Sequence, residues 1–360
     1  MSLLRSVARS VGGDVRTVMT APKRAFDELR YTVAGLRTGD VRPRDVAWSA
    51  VSTVGALLVV SLLLFPIYWV FKLALSGGTG SFFATTGINL LPTDPTFQTF
   101  VWVLGDLILP SYRITLAIPG TGSEVFLQTP KLVVLDASAH GVEYPSRFQK
   151  YLWNSVTVAV PTVVLAMCMI VPGAYALSRR EFIGRGKLLY GYVLFTQVGG
   201  GIGIASLIAL YALFVQYGLT ADKFALAFYY AATAVPFNTW LLKTYMDGIP
   251  KSYEEAAYVD GASTLRVVWE VILPLSKAGL ATVFIFTFLA GWTEFVVAQT
   301  VLTTDQYTLP VGLYLLVSEY STPWPKFSAF ALTFALPIML VYLLAQRYIE
   351  DGLSFGGVEG

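Results

Sequence analysis

Polar side chains inside long apolar runs are the first places to look for chemistry in this chain. Gln197, Asn238 and Glu294 stand in such runs. A polar group held in hydrocarbon is costly, and therefore marks a path, a relay or a helix contact. The second dense stretch is Tyr253–Pro274, which gathers Glu254, Glu255, Asp260, Arg266 and Glu270 between two apolar segments. Neither set has the spacing of a hydrolytic or redox site. Asp106, Asp136 and Glu143 are scattered, and His140 and Cys168 are the only residues of their types, so no histidine-pair or cysteine metal site can form within one chain. No Gly-x-x-x-x-Gly-Lys-Ser/Thr phosphate cradle occurs, and the glycine-rich run Gly199–Gly203 is apolar and lacks the lysine.

The local physics of Tyr253–Pro274 predicts a helical hairpin. Ser252 followed by Glu255 reads as a capping box. Glu254 and Glu255 suit the positive end of a helix dipole. Ala256, Ala257 and Ala262 keep the helix slim, and Gly261 permits the left-handed turn that ends one helix and starts the next. Pro274 fits the first turn of a following helix. A polar hairpin of this kind cannot lie in lipid. Its small-residue face suits a groove on a soluble partner, while the plainer reading leaves Glu255 as a cap and Gly261 as a turn.

The elements that carry these residues follow from composition. Of 360 residues 55% are hydrophobic and 13% charged, with a mean hydropathy of +0.62. That is about half the charge of a soluble domain. The net charge of +2 gives no footing for nucleic acid. Six runs are long enough to cross a bilayer at about 20 residues each: 46–71, 151–178, 188–221, 224–242, 278–302 and 327–346. Lysine and arginine concentrate in residues 1–45, in Arg179–Lys187, and in Lys243, Lys251 and Arg266. This bias places both termini and the hairpin in the cytoplasm. The first 45 residues have no apolar stretch near their start and do not read as a cleaved signal. The intervening segment 76–148 alternates at Ile114, Leu116 and Ile118 and again at Val125 and Leu127, a strand-like pattern. The expected fold is an all-α polytopic membrane protein with a strand-containing extracytoplasmic insertion.

Glu255-Ala256-Ala257, Gly261 after three residues, Val271 after nine more and then Leu273-Pro274 resemble the signature of permease subunits of ABC importers. Isoleucine is the usual residue where Val271 stands. Tyr151-Leu-Trp-Asn-Ser155, Gly173-Ala-Tyr-Ala-Leu-Ser-Arg-Arg180, Gln306-Tyr-Thr-Leu-Pro-Val-Gly312 and Ala345-Gln-Arg347 are similar to stretches of carbohydrate-importer permeases. The tail Gly352–Gly360 resembles that of the MalG-type subunit of maltose importers. The resemblance runs from about Val46 to Gly360. The chain departs from that pattern in its longer insertion, its longer N-terminal tail, and a glycine run after Gln197 where the family often has proline.

The resemblance implies the six-helix type I importer permease fold and a non-catalytic subunit with no cofactor of its own. ATP and Mg would be bound by a partner ATPase dimer (MalK-type). Its closure would push on the hairpin as a coupling helix, through Tyr253, Glu254, Glu255, Ala256, Ala257, Asp260, Gly261, Leu273 and Pro274. Gly356, Gly357 and Gly360 would run along the ATPase dimer, unless the tail is simply unordered. A second permease subunit (MalF-type) would complete the path. A solute-binding protein would meet Thr303–Pro325 and the insertion. Gln197, Asn238 and Glu294 are candidate path residues, although Asn238 could equally bond between helices and Glu294 be solvated near the far interface. Tyr229, Tyr230, Phe237 and Trp240 could stack on sugar rings or simply pack. The implied layout is a basic tail (1–45), a first span (46–75), the insertion (76–148), a core (149–346) containing the hairpin (251–273), and a C-terminal tail (347–360), in the cytoplasmic membrane. The resemblance implies import of maltose, trehalose, an oligosaccharide or glucose. A self-sufficient secondary transporter or channel is the alternative, and it would call for internal repeats and central charge pairs. A membrane enzyme acting on lipid-linked sugars would need converging carboxylates or histidines.

Overall fold

The computed structural model describes residues 42–77, 90–92, 94–105, 107–109, 113–117, 124–128, 132–199, 203–317 and 322–355. The basic tail before Arg42 and the expected contact residues Gly356, Gly357 and Gly360 lie outside them. The chain divides into Met1–Phe71 and Lys72–Gly360. The first unit contains most of α1 (Pro43–Ala74), an apolar helix with Pro66 inside it. From Val46 it is long and apolar enough to cross a membrane, and the side chains of its apolar window are uncovered.

In the second unit, residues 98–135 form α2 (Gln98–Leu104) and four short strands, β1 (Leu107–Leu109), β2 (Arg113–Ala117), β3 (Glu124–Gln128) and β4 (Leu132–Leu135). β2 pairs with β3 antiparallel, Thr115 opposite Phe126, and β1 pairs with β4 with a register irregularity after Leu107. α2 is tied down at several points. Thr99 Oγ1 donates to Ala74 O, Ser146 Oγ donates to Val103 O at 3.0 Å, and the Lys326 ammonium sits 4.9 Å from the Trp102 ring centre.

The helical core follows: α3 (Phe148–Arg179), α4 (Arg185–Gly199), α5 (Ile204–Gln216), α6 (Lys223–Asp247), α7 (Ser252–Val259), α8 (Thr264–Val267), α9 (Leu273–Leu275), α10 (Lys277–Thr293), α11 (Val296–Val301), α12 (Leu309–Tyr314) and α13 (Trp324–Phe355). α3 packs along α6, α10 lies against both, and α13 against α10. Small residues permit the close crossings. A Cβ on Gly291 of α10 would stand 3.1 Å from Ala159 Cα of α3. Thr162 satisfies its hydroxyl on Val158 O at 2.8 Å, so a polar side chain crosses the seam without an orphan donor.

Among the described residues four helices have the length and apolarity of membrane spans: Val46–Ala74, Phe148–Arg179, Lys277–Val301 and Trp324–Tyr348. Within the run read as one span over 188–221, the described residues form α4, which ends at Gly199, and α5, which starts at Ile204. The run read as 224–242 lies within α6, which is long but less apolar and carries Pro236. The fifth run breaks at Glu294, whose extended ψ of 134° separates α10 from α11.

A Cβ on Gly312 of α12 would lie 2.3 Å from Tyr151 Cδ2 of α3. Gly312→Ala should therefore cost about 1–3 kcal/mol from overpacking. It should lower the thermal midpoint of the purified protein, and combining it with Tyr151→Leu should recover part of the loss. An unchanged midpoint would refute the contact.

Candidate functional site

The polar hairpin follows directly from α6. α7 ends in a paired C-terminal turn: Gly261 N donates to Tyr258 O at 3.0 Å and Ala262 N to Ala257 O at 2.9 Å. This pattern needs a left-handed residue at its centre, and Gly261 has φ +81°. A Cβ there would meet nothing within 4 Å, so backbone conformation, and not space, requires the glycine. The chain then restarts on Ser263, whose hydroxyl accepts from Arg266 N at 3.4 Å. After α8 the helix widens to a π-turn over Val268–Ile272. Pro274 follows, lacking an N–H and clashing with the turn before it, and a π-turn is one way to absorb that demand. The apolar helix α10 begins only at Lys277, so Pro274 stands in the short α9 before it.

The capping box expected from Ser252 and Glu255 is not made. α7 takes Lys251 as its N-cap with no side-chain cap bond, and Glu255 N donates to Lys251 O at 3.0 Å. Ser252 is already inside the helix and is not placed to cap it. The two glutamates part company as well. Glu255, Ala256, Asp260, Gly261 and Pro274 are exposed, while Glu254 is buried and Ala257 and Leu273 are half-buried. Ala257 and Leu273 pack on the core around Ile170, Leu242 and Ile272. The uncovered face is more apolar than the glutamates suggest. Tyr253, Leu265 and Trp269 are exposed on it, and Val259 is 87% exposed.

Sequence reasoning missed what holds the hairpin. The end of α3 ties together the end of α6, the link that follows it and the first turn of α7. Arg179 Nε lies 2.5 Å from Glu254 Oε1, both side chains buried, an ion pair whose angle falls outside hydrogen-bond geometry. Arg179 Nη2 donates to Ile249 O at 2.8 Å, and Ser178 Oγ donates to Asp247 Oδ1 at 2.6 Å. Tyr175 OH adds a long bond to Glu254 Oε2 at 3.4 Å. The signal was present in Tyr175, Ser178 and Arg179 at the polar end of an apolar helix, but nothing in the sequence names their partners.

The opposite end of α3 grips a second loop. Asn154 Nδ2 donates to Asp305 O and Tyr307 O, each at 3.1 Å, and Lys223 Nζ donates to Asn154 Oδ1 at 3.2 Å. Leu309 N donates to Ser155 Oγ at 2.8 Å. Lys150 bonds the exposed Asp305 carboxylate and, by that bond and its charge, holds it below the usual carboxylate range. Two stretches far apart in sequence, Tyr151–Ser155 and Gln306–Gly312, are thus one contact.

Glu294 and Asn238 each find local partners. Glu294 accepts from Val297 N at 3.0 Å and Ala298 N at 3.2 Å, which caps α11, and it receives the Tyr230 hydroxyl. Asn238 is buried, donates to Ala234 O at 2.8 Å, and leaves Oδ1 without a partner. It lies eight residues beyond Tyr230 on α6, about 12 Å along the axis. Gln197 is on α4. Tyr229 and Tyr230 stand 5.9 Å apart by ring centre, and Phe237 packs edge-on to Phe286. Among the described residues no three histidines, cysteines or carboxylates gather as a metal site.

Residues 147–354 match the family described as binding-protein-dependent transport system inner membrane component. The chain is 32% identical over 317 residues to the maltose/maltodextrin transport system permease protein MalG of Salmonella typhimurium, covering 86% of this chain and 95% of that one. It is 34% identical over 217 residues to the inner membrane ABC transporter permease protein YcjP of Escherichia coli K12, covering 59% and 75%. In fold it is similar to a chain of a solved bacterial ABC transporter involved in import of the acidic polysaccharide alginate, with a TM-score of 0.62, 23% identity, and 86% and 98% coverage.

Gly261→Val should destabilise the hairpin by about 1–2 kcal/mol, the cost of a left-handed L-residue. Gly261→Asn should cost less, because Asn tolerates that conformation. Limited proteolysis between Val259 and Ser263 should rank wild type, Asn and Val in that order, and equal cleavage of all three would refute the assignment.

Proposed function

The chain belongs to the binding-protein-dependent transport system inner membrane component family, and from that premise we propose that it is the sugar-path permease whose 251–274 hairpin receives the stroke of an ATPase. As a member of the family it is a non-catalytic membrane subunit of an ABC importer, and ATP is hydrolysed by a separate subunit. The sugar class rests on the similarity to MalG sequences over most of the chain. Maltose, trehalose, an oligosaccharide or glucose is the proposed cargo.

One observation supports the docking role above others: an exposed face of α7, α8 and the π-turn that combines a glutamate, small residues and uncovered Val259, Leu265 and Trp269. An apolar patch rimmed by polar groups is what a protein interface requires. Glu255, Ala256, Asp260, Gly261, Tyr253 and Pro274, all exposed, are the proposed contacts, with the half-buried Ala257 and Leu273 backing them. Glu255 would meet a basic residue of the ATPase, which binds ATP and Mg as a MalK-type dimer. The tail Gly356, Gly357 and Gly360 would follow that dimer.

Six spans are proposed, with α4 and α5 together and α6 supplying the two beyond the four apolar helices. Both termini and the hairpin face the cytoplasm on the charge bias of the sequence. Residues 76–148 and the loop gripped by Asn154 and Ser155 then face outward, toward a solute-binding protein. A MalF-type subunit completes the path, to which Gln197, Asn238 and Glu294 remain candidates. Of these Asn238 has the stronger claim, because its Oδ1 is an unsatisfied acceptor.

The test is a reconstituted complex with its ATPase and binding protein. Glu255→Ala and Gly261→Asp should cut both solute-stimulated ATP hydrolysis and uptake roughly tenfold to a hundredfold, as for loss of a central contact of about 1.4–2.8 kcal/mol. Wild-type rates in both variants would remove the hairpin from the coupling path.

A further inference from the structure

The adjacent carboxylates of α7 occupy opposite environments. Glu255 is exposed, whereas the Glu254 side chain is 8% exposed and lies against Arg179, itself 7% exposed. Tyr175 covers its second oxygen. A carboxylate so enclosed has no face to offer a partner protein. We propose that Glu254 and Arg179 are positioning residues: they never touch the ATPase, but lock α7 to the end of α3, so that force received on the exposed face reaches the membrane helices. The inference deepens the reading of the hairpin as a docking site and rests on it.

The need for a lock follows from size. α7 has eight residues, too short for a helix to hold itself in water. It is joined through Gly248–Lys251 at one end and the left-handed Gly261 at the other. Its inward side meets the core through Ala257, and Tyr258 reaches Tyr175 of α3. Apolar contact alone permits a short helix to slide and pivot. The Arg179 guanidinium removes that freedom by holding two points at once, Glu254 in the first turn of α7 and Ile249 O in the approach to it. Ser178 fixes Asp247 just before. A buried ion pair is no more stabilising than well-packed apolar residues, but breaking one leaves an uncompensated charge. Its contribution here is direction.

The test uses the full chain in lipid nanodiscs with Cys168→Ser and a nitroxide label on Val259→Cys. Spectra are compared for the wild-type pair, Glu254→Gln, and the double variant Arg179→Gln with Glu254→Gln, which strands no charge. Solute moved per ATP hydrolysed is measured, without the label, in the complex reconstituted with its ATPase and binding protein. The label should tumble faster in both variants, and the ratio should fall about tenfold as the stroke is lost. A double variant that keeps either the wild-type spectrum or the wild-type ratio overturns the proposal. A variant that does not assemble is decided by its spectrum: a mobile label supports the lock and a wild-type one refutes it. If adding the ATPase leaves the wild-type label unchanged, the docking reading falls instead, and the comparison of spectra still decides the role of Glu254.

Discussion

A guanidinium cannot be left bare inside an apolar bundle, and Arg179 at the end of α3 is where that constraint organises the molecule. Its charge is met by Glu254 and one terminal nitrogen by Ile249 O. Removing either partner would leave more of the buried group unpaired, at a cost of about 1–3 kcal/mol. Meeting both draws the exit of α6 and the first turn of α7 to a single point. The hairpin therefore has a fixed orientation although it is built from short pieces. Its exposed face points away from the core because its buried carboxylate points into it.

The helices that enclose the rest are tolerant of interruption in a patterned way. α3, α6 and α13 run through internal prolines, which is possible where neighbouring helices and Thr hydroxyls take up freed polar groups. α10 stops at Glu294, and the same carboxylate that ends it receives the first amides of α11. A charge that sequence alone suggests for a transport path is, in this structure, first a cap. Its bond to Tyr230 also ties the break to α6. Glu294 thus ties the start of α11 to the break and to α6.

Much of the hairpin was legible in the sequence because its determinants are local. Gly261 needs only its own φ, and the small residues need only their neighbours. The capping box misled because Ser252 and Glu255 have the right spacing, yet Lys251 is already in helical conformation and the helix starts one residue earlier. The partner of Glu254 was not legible, since 75 residues separate it from Arg179 and no local periodicity encodes the pairing. The same holds for Asn154 and the loop at Asp305 and Tyr307. Both stretches stood out as similar to permease sequences, but their contact is a property of packing. The run at 188–221 read as one span because apolarity alone does not mark where α4 ends and α5 begins.

α3 grips one loop with Asn154 and Ser155, and the end of α6 and first turn of α7 with Tyr175, Ser178 and Arg179, with roughly 36 Å of helix between Ser155 and Arg179 at 1.5 Å per residue. Pro161 and Pro172 lie between the two grips. Each deprives the helix of one backbone bond and so lowers its bending stiffness locally. A shaft held at both ends and softened at two places has its compliance assigned in advance. Any mismatch between the travel of the two ends must be absorbed at those prolines, and not at the joints themselves.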